Sequence, residues 1–271
     1  MTNIAGAISG AGTNGGAEVG AVAALADNGI QITRPVGTSA GSITAALIAL
    51  GRTPAQCKQI VLDADYAELI DYSYLTVPGR WTAASNKNVI AWLREITEDQ
   101  AMEDCAIPLV TVSGNLASQT PTYWRSWEVP KMPVWEAVYA SMAIPFIFPP
   151  YLGEYVDGGT MDNLPVNQLP TMPKRLALAV TAFTSDEPVS GPVDQALRLL
   201  SMMLEANVMQ SEAYAKSLGV PVIKLDVGRR GFLVRDMTRS DKETLYQIGY
   251  SAVTAWLGSA EGKAWRVSDE N

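Results

Sequence analysis

A serine between glycines, Gly37-Thr38-Ser39-Ala40-Gly41, is the first group in this chain whose setting could do chemistry. It has the form G-x-S-x-G. In so tight a turn from strand to helix the hydroxyl is pushed out of the sheet, and the glycines let the backbone bend. A helix starting there aims free N–H groups and its dipole at the same point, which favours a developing negative charge. On its own the motif is weak and fits better a structural serine where a small-residue helix lies close to a strand. The chain contains no histidine, so a Ser-His-Asp triad is impossible, and a nucleophilic Ser39 would need a carboxylate, a lysine or another group as its base. Tyr155-Val156-Asp157-Gly158-Gly159 is the best candidate: an aspartate ending a short apolar stretch, with two glycines that permit a sharp turn. Its structural alternative is an aspartate that caps a turn. A Ser39–Asp157 dyad is the reading to test.

A third block could serve these two. Ile4 to Ser9 reads as a buried strand running into Gly10-Ala11-Gly12-Thr13-Asn14-Gly15-Gly16, and a helix follows with Val19, Val22, Ala23 and Ala26 inward. The loop matches G-x-G-x-x-G. A dinucleotide site would want an acidic residue at the end of the next strand, where Arg34-Pro35-Val36 stands instead. A phosphate-binding P-loop needs Lys-Ser/Thr where Gly16-Ala17 stands. The remaining use is to aim backbone N–H groups of Gly10, Ala11, Gly12 and Thr13 at an oxyanion formed at Ser39.

The elements that must position these groups alternate between strand and helix. Ile30 to Val36 is a short strand before Ser39, although Pro35 removes a ladder donor from it. Helical patterns follow at 42–50, 54–65 and 86–97, strands at 107–112 and 123–127, and a short helix at 134–142. Later come a strand at 176–183, a long helix at 192–218, a strand at 221–227, and a final helix opened by the capping box Ser240-Asp241-Lys242-Glu243. Met202, Met203 and Met209 on the long helix read as core filler rather than a lipid groove. Residues 66–81, rich in large apolar groups, read as an insertion packed on the core, with a mobile cover that meets lipid as the alternative. This alternation predicts one α/β domain over residues 1–271, a mainly parallel sheet covered on both faces, with a polar, frayed tail at 259–271.

Bulk properties narrow the partners. Hydrophobic residues are 48% and charged ones 18%, the balance of a globular chain. A net charge of −8 argues against nucleic acid as a partner. Cys57 and Cys105 stand far apart, and with no histidine neither a disulfide framework nor a zinc site is expected; no cofactor or metal is called for. No signal peptide or membrane span is legible, which makes a cytoplasmic location the default. Asp162 reads as a solvated turn carboxylate, Asn163 as a brace for that turn, and Arg229-Arg230 as a solvated basic loop rather than a phosphate contact.

Together the blocks resemble the patatin-like phospholipase family. Ser9 to Gly15 is similar to its glycine-rich oxyanion loop, Gly37 to Gly41 to its nucleophile turn, Ser141 to Pro150 to its connecting segment, and Asp157-Gly158-Gly159 with Asp162 to Val166 to its aspartate block. The resemblance covers nearly the whole chain. It implies a three-layer α/β/α fold and a Ser–Asp dyad cleaving phospholipid or other acyl-ester lipids, with transient membrane-surface contact and an activating protein partner left open. Two positions depart from the family pattern. Ala11 replaces the middle glycine and would need negative φ to avoid strain, and Asn14 stands where a basic residue is usual. The functions that compete are a phospholipase A-like lipid acyl hydrolase, an acyltransferase or esterase/thioesterase on soluble acyl esters, and a non-catalytic lipid- or protein-binding chain with an impaired oxyanion loop.

Overall fold

Strand β1 (Thr2–Ile8) leads through a 3₁₀ turn at Gly12–Asn14 into helix α1 (Gly16–Asp27). Strand β2 (Ile30–Thr38) and helix α2 (Ala40–Ala49) repeat that unit, followed by α3 (Pro54–Asp63), α4 (Tyr66–Leu69) and α5 (Lys87–Thr97). Then come β3 (Val110–Asn115), β4 (Thr120–Arg125), α6 (Val134–Met142), β5 (Tyr155–Asp157) and β6 (Arg175–Thr181). Helix α7 (Pro192–Ser217), strand β7 (Val222–Asp226) and helices α8 (Arg239–Gly258) and α9 (Ala260–Val267) complete the chain. The structure, a computed structural model, describes residues 1–72, 82–181 and 188–267. The apolar stretch 73–81 lies outside the described residues, as do the last two residues of the strand expected over 176–183.

The described strands form a seven-stranded sheet in the order β4-β3-β2-β1-β6-β7, with β5 also on β3. The ladders from β3 through β7 are parallel, while β4 and β5 run antiparallel to β3. Period-two alternation sorts the side chains by size. Ile4, Ile8, Leu176, Leu178 and Val180 share one cluster with α1, α2 and α8, while Ala5, Ala7, Ala177 and Ala179 meet Val208 and Ala215 of α7. Small residues on the second face let α7 lie close to the sheet.

Pro35 fits because of where β2 gains its second neighbour. It pairs with Gly6 of β1, but the ladder with β3 begins only at Val36. The proline therefore stands where β2 is paired on one side, next to the irregularity between Ile4 and Ala5.

Four expectations need correction. The capping box of α8 is Thr238 with Asp241, two residues earlier than the pattern suggested, because Thr238 is the residue with extended backbone. The tail is not frayed through residue 267: α9 is held by Trp265 against Trp256, ring centroids 5.4 Å apart, and by Lys174, whose ammonium donates to the Trp265 and Arg266 carbonyls. Met202, Met203 and Met209 are not core filler, being 66%, 48% and 70% exposed. Leu204 and Val208 take the buried stripe of α7; Met202 and Met209 fall on the opposite side of the same helix, and Met203 on its flank. Asp162, read as solvated, is buried. Among the described residues no helix is long and apolar enough to cross a membrane.

Candidate active site

Strand β3 is the ruler for the site. Thr38 at the end of β2 pairs with Val112, and Asp157 at the end of β5 pairs with Ser113, the next residue along. Two segments remote in sequence are thus brought to consecutive register positions on one strand. Ser39 Oγ donates to Asp157 Oδ2 at 2.6 Å, and both residues are buried.

Ser39 has φ 52° and ψ −123°, a conformation an L-residue adopts only when its surroundings impose it, at roughly 1–3 kcal/mol. Those surroundings are tight. A Cβ at Gly37 would overlap the Gly41 carbonyl, and one at Gly41 would overlap the carbonyls of Ile8 and Ser9. The Ser39 N–H donates to Ser141 Oγ at 2.9 Å, and Ser42 Oγ donates to the Ser39 carbonyl at 2.6 Å.

Asp157 is held as firmly. Its second oxygen accepts from Gly159 N–H at 2.8 Å, and its own N–H donates to the Ala143 carbonyl at 2.9 Å. Gly158 lies against the Val112 carbonyl so closely that a Cβ would overlap it. Burial raises the carboxyl to about 6, against the opposing pull of the hydrogen bonds from Ser39 and Gly159. A carboxylate with that affinity is ionised at neutral pH, yet basic enough to take a proton from a hydroxyl that is losing it.

The glycine-rich loop divides its N–H groups. Gly10 N–H is committed to Asn163, bonding both its carbonyl (3.0 Å) and its Oδ1 (3.1 Å), and Thr13 N–H is committed to the Phe232 carbonyl at 3.1 Å. This narrows the expected set of four donors. The N–H groups of Ala11 and Gly12 have no acceptor among the described residues. Gly12 has φ +56°, and a Cβ there would overlap the Phe232 carbonyl, so this position requires glycine. Ala11 has φ −138°, which an alanine adopts without strain. Asn14 is a tie rather than a missing charge at the surface: its amide donates to the carbonyls of Ala11 (3.3 Å) and Gly231 (3.2 Å) from a fully buried position.

Beside Ser39 lies an apolar cavity. Gly12, Ala40, Ile43, Thr44 and Leu47 line it, with Val61, Leu69, Trp92, Ile144 and Phe148 among the other residues of its walls. Positions 40, 43, 44 and 47 are one face of α2, so the helix that carries the turn also supplies a wall. From residues 66–72, Tyr66, Leu69 and Ile70 contribute to this wall.

Other sequence readings resolve locally. Asp162 accepts from the Tyr123 hydroxyl at 3.0 Å, and burial raises its carboxyl; its carbonyl accepts from Thr38 Oγ1 at 2.9 Å. Arg230 pairs with Asp241 at 3.2 Å. Asn163 braces the glycine loop rather than only its own turn. Sequence reasoning missed Ser141 as the partner of the Ser39 N–H and residues 231–234 as the clamp on Thr13 and Asn14, where Val234 N–H also donates to Thr13 Oγ1 at 2.8 Å. No local pattern marks either; Ser141 stood out only as part of the connecting segment.

A family model for patatin-like phospholipases matches residues 6–170, and the chain belongs to that family. It is 31% identical over 175 residues to an uncharacterized protein of Acanthamoeba polyphaga mimivirus, with 59% of each chain covered. Over 192 residues it is 28% identical to Lysophospholipase NTE1 of Mycosarcoma maydis, covering 66% of this chain and 10% of that one. Among solved structures, VipD from Legionella pneumophila superposes with a TM-score of 0.63 at 15% identity, covering 95% of this chain and 66% of that chain. That likeness shows a shared fold. The chain spans only part of the length of these relatives.

Proposed function

We propose that the protein is a lipid acyl hydrolase working through Ser39 and Asp157. The observation that carries this reading is the 2.6 Å hydrogen bond to a buried Asp157 from the Oγ of Ser39, a residue that lines an apolar cavity. The hydroxyl attacks the ester carbonyl while its proton passes to Asp157 Oδ2. The tetrahedral oxyanion is held by the N–H groups of Ala11 and Gly12, the two that the loop leaves uncommitted. Collapse returns the proton to the leaving alcohol and leaves the acyl group on Ser39. Water, deprotonated by Asp157, then releases the carboxylic acid and restores the serine. The cavity supplies a dry, hydrocarbon-like seat for the acyl chain. Family membership supports a lipid ester as substrate, and the exposed methionines of α7 support contact with a lipid surface.

The test is fatty-acid release from mixed phospholipid vesicles by the wild type, Ser39→Ala and Asp157→Ala, with fluorophosphonate labelling of Ser39 alongside. Release lost in both variants with folding intact, and labelling that requires Ser39, are the expected results. If wild type neither releases acid nor labels, the chain is a binding member of its fold; if it labels but cleaves only soluble esters, the lipid substrate is wrong.

A further inference from the structure

A second cavity, of about 360 Å³, lies between the edge strand β4, helix α7 and the loop 161–167. It shares no lining residue with the cavity beside Ser39. Its size falls in the roughly 300–1,000 Å³ range of small-molecule sites. Asn207, Gln210, Ser211 and Tyr214 reach it from α7 at the spacing of one helix face, and Pro121 and Tyr123 from one face of β4. Asp162 supplies the one carboxyl of the lining and is 7% exposed. Its Oδ2 accepts from the Tyr123 hydroxyl at 3.0 Å, and that hydroxyl accepts from Asn167 Nδ2 at 3.1 Å. All three residues line the cavity.

This lining selects a class of ligand. Apart from Pro121 and Met161, every described residue of it carries a hydrogen-bonding side chain, which gives a hydrocarbon chain no seat. It includes no lysine or arginine, so a phosphate or carboxylate would meet Asp162 with no counter-charge. A cationic ligand is disfavoured from the other side, because the Arg125 guanidinium already stands 5.4 Å from the Tyr123 ring. A neutral molecule with several hydroxyls is left. Each hydroxyl both donates and accepts, and carboxamides, hydroxyls and a carboxyl together answer both. The side chains of Gln210 and Ser211 are bonded to nothing among the described residues, so they are free for such a partner. Two tyrosine rings complete the wall, as suits the C–H face of a sugar-like ring.

We propose that the cavity between β4 and α7 is a second ligand site, which takes a neutral polyhydroxylated ring, a monosaccharide or a cyclitol. Its walls are tied to both catalytic turns. Asn207 Nδ2 donates to the Gly159 carbonyl at 3.0 Å, and Gly159 N–H donates to Asp157. The Asp162 carbonyl accepts from Thr38, the residue before Ser39. The site stands apart from the hydrolase reading, and its test reads binding rather than turnover.

The experiment is titration of the full chain with D-glucose, D-galactose and myo-inositol, followed by calorimetry and saturation-transfer NMR, beside D-glucose 6-phosphate and ethanolamine. Wild type is expected to bind at least one of the three polyols with a Kd of about 1 mM or lower. The phosphorylated sugar and ethanolamine should bind at least about tenfold more weakly. Gln210→Ala and Ser211→Ala should each weaken polyol binding by about three- to tenfold, and Asp162→Asn by about tenfold or more. The two α7 positions are outside the buried core, so their variants carry the test if the Asp162 variant folds poorly. No binding of any of the three polyols, or binding unchanged in both α7 variants, overturns the proposal. Preference for ethanolamine or for the phosphorylated sugar overturns it too, in favour of a charged ligand.

Discussion

Replacing Asp157 with Asn should remove activity and raise stability at once, with both effects set by one carboxyl. Its proton affinity is about 6 in the fold against 3.8 when unfolded, because burial removes water from the charged form. As a base it must be ionised: about 90% of it is at pH 7 and about 10% at pH 5. Wild-type kcat/KM on a soluble acyl ester should therefore rise about tenfold from pH 5 to a plateau above pH 7, with its midpoint near 6. The same gap acts on stability with the opposite sense. Between pH 3.8 and about 6 the folded state holds a proton that the unfolded state has lost, so stability falls as pH rises through this window and flattens above it. At 1.36 kcal/mol per unit the loss approaches about 3 kcal/mol by pH 7. An Asn can donate to Ser39 Oγ and still accept from Gly159, and it carries no charge to desolvate. Asp157→Asn should thus melt higher than wild type at pH 8, by up to roughly 10 °C, with the difference vanishing near pH 4. Thermal melts of both proteins across pH 4–8, beside the pH–rate profile, check the two arms. A melting difference that does not change with pH, or a rate flat from pH 5 to 7, refutes the assignment of Asp157 as a buried, titrating base.

Other variants probe the scaffold. Gly12→Ala places a Cβ on the Phe232 carbonyl at φ +56° and should lower kcat by at least about tenfold while destabilising the protein by about 1–3 kcal/mol, read by kinetics and denaturant melts. Ser141→Ala leaves the buried Ser39 N–H without an acceptor; an expected loss of about 1–3 kcal/mol and a lower kcat with little change in KM separate positioning from substrate binding. Asn163→Ala removes one of the two oxygens that accept from Gly10 N–H and should reduce kcat/KM on any ester, vesicle or soluble. Changing Met202, Met203 and Met209 together to Ser should slow hydrolysis of phospholipid vesicles several-fold and leave a soluble ester unaffected. Equal slowing of both substrates would count against α7 as the lipid-facing surface.

What could be read from the chain itself came from local constraints. Gly37 and Gly41 reveal a turn because small residues are needed wherever backbone meets backbone, and the absence of histidine directs attention to a carboxylate before any contact is known. Alternating strand and helix patterns imply a mainly parallel sheet, and Asp157 ending an apolar run before two glycines is visible as a candidate. Only the tertiary structure decided the rest, because the decisive pairings join residues far apart in sequence. Ser39 and Asp157 are 118 positions apart and meet through their neighbours' register on β3. The claims of Asn163 and Phe232 on Gly10 and Thr13 determine which loop N–H groups stay uncommitted. Methionines that look like filler stand in solvent because Leu204 and Val208 take the buried stripe of α7. Asp162, polar and beside a turn, is buried, with Tyr123 of β4 donating to its carboxyl and Thr38 of β2 to its carbonyl. Residue type and spacing select what a segment can do; the register of distant strands selects which groups face one another, and that depends on the folded sheet as a whole.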